Sequence, residues 1–201
     1  WQFETPRPRI VSTTPYQGQT HVEFDHSILI RFNQPVNPET VSKFISIEER
    51  VGSAVKYPRY RAERPSKDNQ GKRSGRPGYE NSRQEDEHPE ESVVLVPLEQ
   101  FKKGASVTVR CKAGLQGSQG PLGMNSDYIL NFTTIQEFTF LGIENGDRFE
   151  PSESLKLLFS NPVSQRELVR HLAFSPEVPI DLDQYSYDYP GVKIFLSLPL
   201  K

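Results

Sequence analysis

Apolar residues recur at every second position in several short runs. Ile28, Ile30 and Phe32 alternate with Leu29 and Arg31. Val107, Val109 and Cys111 alternate with Thr108 and Arg110, and Tyr128, Leu130 and Phe132 with Ile129 and Asn131. Leu155, Leu157 and Phe159 follow the same rule. Side chains on a strand point to opposite faces in turn, so each run lays one apolar face on a core. Turn-forming stretches (TPYQGQ, QGSQGPLGMNS, ENGD) separate the runs, and long helical periodicity is absent. The pattern predicts an all-β chain of short strands.

One signal occurs twice. RFNQPV at 31–36 returns as LFSNPV at 158–163, an offset of 127 residues. In each copy the Phe closes an inward-facing series, and a proline three residues on cannot donate to a ladder, so the strand stops. A short helix can follow both. Asn37 is placed to cap the first, with Pro38 at its opening position. Ser164 with Glu167 matches a capping box in the second. Val41, Phe44 and Ile45 lie at i, i+3 and i+4, and Leu168 and Leu172 occupy the matching places. A strand is expected next in each copy, through Ile45 and Ile47 and through Leu172 and Phe174. The whole unit is therefore an internal repeat.

The ends fit this division. WQFET at 1–5 resembles LNFTT at 130–134, which closes the first copy, and VKIFLSLPLK corresponds to SVVLVPLEQF. The expected organisation is the last strand of a preceding domain at 1–5, a complete β-sandwich at 6–134, and the first part of a second sandwich at 135–201. The first sandwich carries a charged insertion at 58–91. That stretch holds eight Lys/Arg and eight Asp/Glu, with basic residues gathered before Glu80 and acidic ones after it. So little apolar surface cannot repay chain ordering, and the segment reads as an exposed, mobile loop between two strands. Without it the first copy has about 95 residues, near the ~100 of an immunoglobulin-like sandwich. It is either a tolerated surface insertion or a functional segment, protease-sensitive or partner-binding.

Composition excludes more than it proposes. The chain has 201 residues, a net charge of -2 and 34% hydrophobic residues. Near-neutral charge gives no reason to expect nucleic acid or an anionic membrane as partner. No apolar run approaches the ~20 residues of a membrane span. The first residues do not form a signal peptide.

Chemical motifs are scarce. Cys111 is the only cysteine, and it shares a face with Val107 and Val109, so a buried inert thiol is expected. Asp25-His26-Ser27 contains three catalytic residue types, but neighbours on a strand diverge and a triad must converge. A solvated strand edge is expected there. His21, His26, His88 and His171 lack metal-ligand spacing. Glu85-Asp86-Glu87-His88 reads as a solvated charge run. Asp181, Asp183 and Asp188 alternate with apolar or aromatic residues, as a strand does, and lack the glycine and closing glutamate of a calcium loop. No phosphate-binding glycine loop or nucleophile elbow is present. The chain is expected to hold no catalytic residue, cofactor or metal, and not to be an enzyme.

The succession PRIVSTTP, ILIRFNQPVNPETV, VVLVPLEQFKKGASVTVRCKAGL and GPLGMNSDYILNFTT resembles one family. It is similar to the bacterial immunoglobulin-like, macroglobulin-type domains at the front of large bacterial alpha-2-macroglobulin-like proteins. SLKLLFSNPV with LAFSPEVPI resembles their next domain. The resemblance implies tandem sandwiches in the periplasm or cell envelope, within a protein that traps attacking proteases. Some members bond the protease through a thioester in a C-x-E-Q motif. Here Lys112-Ala113-Gly114 follows Cys111, so that motif is absent, and so is an N-terminal lipidation cysteine. The implied role is mechanical, with neighbouring domains of the same chain as direct partners and proteases engaged only through the full-length protein. Nucleic acid and direct membrane contact are not expected. The rival readings are an adhesion or ligand-binding array, for which Tyr185, Tyr187 and Tyr189 are the only aromatic cluster, and an accessory module of a secreted carbohydrate-active enzyme.

Overall fold

A computed structural model describes residues 6–66, 69, 88–144, 155–175, 177, 179–181, 187–188 and 191–196. The expected strand at 1–5 lies outside them. The chain divides into two compact units, 1–135 and 136–201.

The first unit is two facing sheets. One contains β1 (Ile10–Thr14), β3 (Ile28–Phe32), β6 (Tyr60–Glu63) and β7 (Ser92–Pro97), in the order β1-β3-β7-β6. The other contains β2 (Gln19–Val22), β4 (Ile45–Val51), β5 (Ala54–Lys56), β8 (Ser106–Cys111) and β9 (Tyr128–Thr134), in the order β2-β9-β8-β4-β5. All pairs are antiparallel except β2 with β9. The alternation read from sequence becomes the core. Ile28, Ile30 and Phe32 are buried, with Leu29 and Arg31 less so. They share one cluster with Val107, Val109, Cys111, Leu130 and Phe132. Each such side chain, fully buried, stabilises the unit by about 1.5–3 kcal/mol.

Helix α1 (Pro38–Phe44) follows the proline stop. Asn37 is extended and its side chain accepts the N–H of Glu39 at 2.8 Å, with Pro38 at the first turn. Val41 is fully buried, and β4 follows directly.

The second unit contains β10 (Phe140–Glu144), β11 (Leu155–Phe159), α2 (Gln165–Val169), β12 (Ile180–Asp181), β13 (Tyr187–Asp188) and β14 (Gly191–Leu196). Its sheet runs β10-β11-β14-β12, with β13 also on β14. The path β10-β11-β14-β12 follows the order of the first sheet, with β13 as an added strand. Ile28 pairs with Leu95 and Ile30 with Val93; Leu155 pairs with Ile194 and Leu157 with Val192. Even an irregularity recurs: register shifts between Ile10 and Ser12 on β1, and between Phe140 and Gly142 on β10. Phe32 and Phe159 hold equivalent places in two separate cores.

Four expectations need correction. The charged stretch 58–91 is not loop from its start, because Tyr60–Glu63 form β6 on the edge of β7. Tyr60 and Ala62 pack on the core while Arg61 and Glu63 face outward and pair at 3.4 Å. Residues 67–68 and 70–87 lie outside the described residues. Ser164 occupies the N-cap of α2 without a side-chain cap bond, so the capping box with Glu167 does not form. Leu172 and Phe174 pack on the second core but form no strand. Among the described residues of that unit, no strand stands where β8 stands beside β4, so this segment has no ladder to join. Asp25-His26-Ser27 is a turn leading into β3, and His26 is 3% exposed rather than solvated.

Candidate functional site

Among the described residues, the candidate chemical side chains form no cluster of three metal-ligating groups. His26 is held in its turn by its N–H donating to the carbonyl of Glu23 at 3.1 Å. His21 sits in β2 beside Thr20, its Nδ1 3.0 Å from the hydroxyl. His88 lies 3.5 Å from Glu90 at the start of a single 3-10 turn, Pro89–Glu91. His171 is exposed after α2. Asp181 is in β12 and Asp188 in β13, as the alternation suggested, while Asp183, Tyr185, Tyr189 and Glu85–Glu87 lie outside the described residues.

Cys111 is buried at the end of β8, with its sulfur 3.9 Å from that of Met124. Burial, and then the charge of Asp127, push its thiol up to about 11. A thiol held protonated is a poor nucleophile.

Several polar side chains built into the structure hold backbone. Tyr60 donates its hydroxyl to the carbonyls of Ser42 at 3.0 Å and Ile45 at 2.8 Å, at the end of α1. Burial, and then Cys111, push that phenol up to about 12. Arg64 donates to the carbonyls of Glu90 at 2.7 Å, Ser92 at 3.2 Å and Val36, and the N–H of Val36 donates to Glu90 at 3.1 Å. Its guanidinium thus ties the departure from β6 to the return into β7. Glu49 is 3% exposed and accepts the backbone N–H of Lys102. Its place was readable: it continues the inward parity of Ile45 and Ile47. The reach of Arg64 across the insertion left no such trace.

Gln34, in the repeated motif, is 1% exposed. It donates to the carbonyl of Pro6 at 2.8 Å and accepts the N–H of Gln119 at 3.3 Å. The loop carrying Gln119 is close-packed. A Cβ at Gly117 would fall 2.4 Å from the Gln34 side chain, and one at Gly123 would fall 2.4 Å from the carbonyl oxygen of Gly114.

Two exposed features remain. Lys56 and Glu99 form an ion pair flanked by Tyr57 and Leu98, which are 69% and 47% exposed. The hydrogen bond between them raises the Lys56 pKa and lowers that of Glu99. In the second unit, Phe138 and Phe140 are exposed, and their rings lie against Phe159 at 5.3 and 5.5 Å.

The family described as Bacterial Ig-like domain matches residues 4–134. No curated protein sequence matches the chain. Among solved structures it is similar to the surface layer protein SbsC, domains 1-6, at 14% identity and a TM-score of 0.40, over 76% of this chain and 18% of that one. It is also similar to CopC from Methylosinus trichosporium OB3b, at 14% identity and a TM-score of 0.38, over 65% of this chain and 96% of that one. The chain therefore spans under a fifth of the surface layer chain.

Proposed function

The chain belongs to the bacterial Ig-like domain family, and we propose that it is a structural segment of a bacterial protein working outside the cytoplasm. More narrowly, the parent is an alpha-2-macroglobulin-like protease inhibitor of the periplasm or cell envelope, in which these sandwiches hold the trapping regions in place. The observation that carries the structural part is the repeat itself. Two units of one design each bury their own apolar residues, while Tyr60, Arg64, Glu49 and Gln34 bind backbone. The narrower reading is supported by the succession of motifs and by the charged excursion between β6 and β7. It gives this segment no reaction, metal or cofactor. Its partners are the adjoining domains of the same chain, and proteases through the full-length protein, with no nucleic acid and no direct membrane contact.

The test uses the parent protein and an active protease. A trap shields large substrates while leaving the protease active on small ones. Cleavage of a protein-sized substrate should fall while a short chromogenic peptide is still cut. Undiminished cleavage of both overturns the inhibitor reading. A second reading, an adhesion or ligand-binding array, draws on Tyr57 and Leu98 beside the Lys56–Glu99 pair, since exposed aromatic and aliphatic side chains with charged neighbours are typical of contact surfaces.

A further inference from the structure

The two residues between the strand-ending Phe and the proline bind the incoming chain in the same way in both units. In the first, the N–H of Arg9 donates to Asn33 Oδ1 at 2.8 Å, and the N–H of Asn33 donates back to the Arg9 carbonyl at 3.1 Å. Asn33 Nδ2 reaches the carbonyl of Arg7 at 3.1 Å. In the second, the N–H of Thr139 donates to Ser160 Oγ at 2.8 Å, and the N–H of Ser160 donates back to Thr139 at 3.0 Å. The Ser160 hydroxyl reaches the carbonyl of Glu137 at 2.6 Å.

The next residue completes the match. Gln34 Nε2 donates to the carbonyl of Pro6 at 2.8 Å, and Asn161 Nδ2 donates to that of Gln136 at 2.7 Å. Pro6 has no N–H to give, and Gln34 turns its oxygen to Gln119 instead. Gln136 has one, and donates it to Asn161 Oδ1 at 2.9 Å. Residue types differ between the copies, yet the bonds fall on corresponding backbone groups. The same register then follows: Ile10 opposite Phe32, and Phe140 opposite Phe159, each before a bulge.

We propose that this dipeptide is a tension clamp. It fastens the chain where it enters each unit, so a pull on the preceding segment is met first by Asn33-Gln34 or Ser160-Asn161. The ladders β1–β3 and β10–β11 are loaded only after these side-chain bonds break. Residues 6–9 and 136–139 then belong to their sandwiches and are not free linkers. The inference needs only the two units and does not depend on the inhibitor reading.

The test combines amide exchange with mechanical extension of the 201-residue chain. Asn161→Ala should speed exchange at Gln136 about tenfold, and Ser160→Ala should do so at Thr139, the loss expected for one hydrogen bond. Amides of β11 and β14 should stay within about twofold. Ser160→Thr keeps the hydroxyl and should exchange like the parent. Asn33→Ser, the second unit's own choice, should spare Arg9, where Asn33→Ala should not. With the chain held at both ends, the Ser160→Ala/Asn161→Ala protein should open its second unit at lower force. Unchanged exchange at Gln136 and Thr139, equal acceleration along β14, or an unchanged opening force each overturns the clamp.

Discussion

Replacing Tyr60 by Phe removes one oxygen and leaves the ring in place. In the parent that hydroxyl satisfies carbonyls at Ser42 and Ile45, in the last turn of α1 and at the start of β4. A helix end leaves its final carbonyls without intrahelical partners. Losing their donor while the ring still excludes water should cost about 1–2 kcal/mol near pH 7. Urea unfolding followed by circular dichroism measures this directly.

The pH dependence supplies a second check. The folded phenol is raised to about 12, above the ordinary ~10 of an unfolded tyrosine. Its neutral form is therefore favoured by folding. The associated stability is complete below pH 10 and is lost as pH rises from 10 to 12, because only the unfolded chain ionises there. Discounted for the partial exposure of the ring, the loss is about 1–2 kcal/mol. Tyr60→Phe has no such group. The gap between parent and variant should therefore close across that range. A variant as stable as the parent at pH 7, or a gap that stays constant to pH 12, would refute the reasoning.

Four further outcomes are expected. Asn37→Ala should cost about 1 kcal/mol in the same unfolding assay, and Ser164→Ala close to nothing, since only Asn37 makes a cap bond. Gly123→Ala should cost more than Gly117→Ala, about 2 kcal/mol or more, because its clash is with rigid backbone and the other is with a movable side chain; the reverse order defeats this. Native protein at pH 8 should resist thiol reagents at Cys111, where burial keeps the thiol protonated, and react fully in urea; rapid native labelling contradicts its burial. Limited trypsin digestion should cut first at Lys72 or Arg73, as the composition of 58–91 dictates, and early cuts within 92–134 count against it.

What could be read beforehand followed parity and repetition. The period of two placed Ile28, Ile30 and Phe32 inside because a strand has only two faces. The recurrence of the Phe-to-Pro signal identified Phe32 and Phe159 as counterparts. Composition averaged over a window concealed β6, whose Tyr60 and Ala62 alternate within a charged run. Leu172 and Phe174 have the parity of Ile45 and Ile47, but a strand needs a neighbour and none of the described strands is there. Asn33, Gln34 and Arg64 bind backbone more than 20 residues away, and sequence adjacency carries no record of such reach. For the first two a hint existed: polar residues stand between Phe and Pro in both copies.

Arg64 has a practical consequence. Its guanidinium grips Val36, Glu90 and Ser92, so the end of β6 and the start of β7 are held together by bonds outside the stretch that connects them. Doubling the enclosed length then costs only about 0.6 kcal/mol in closure entropy. A foreign epitope, reporter or recognition sequence inserted between Asn69 and His88 should therefore leave that grip in place.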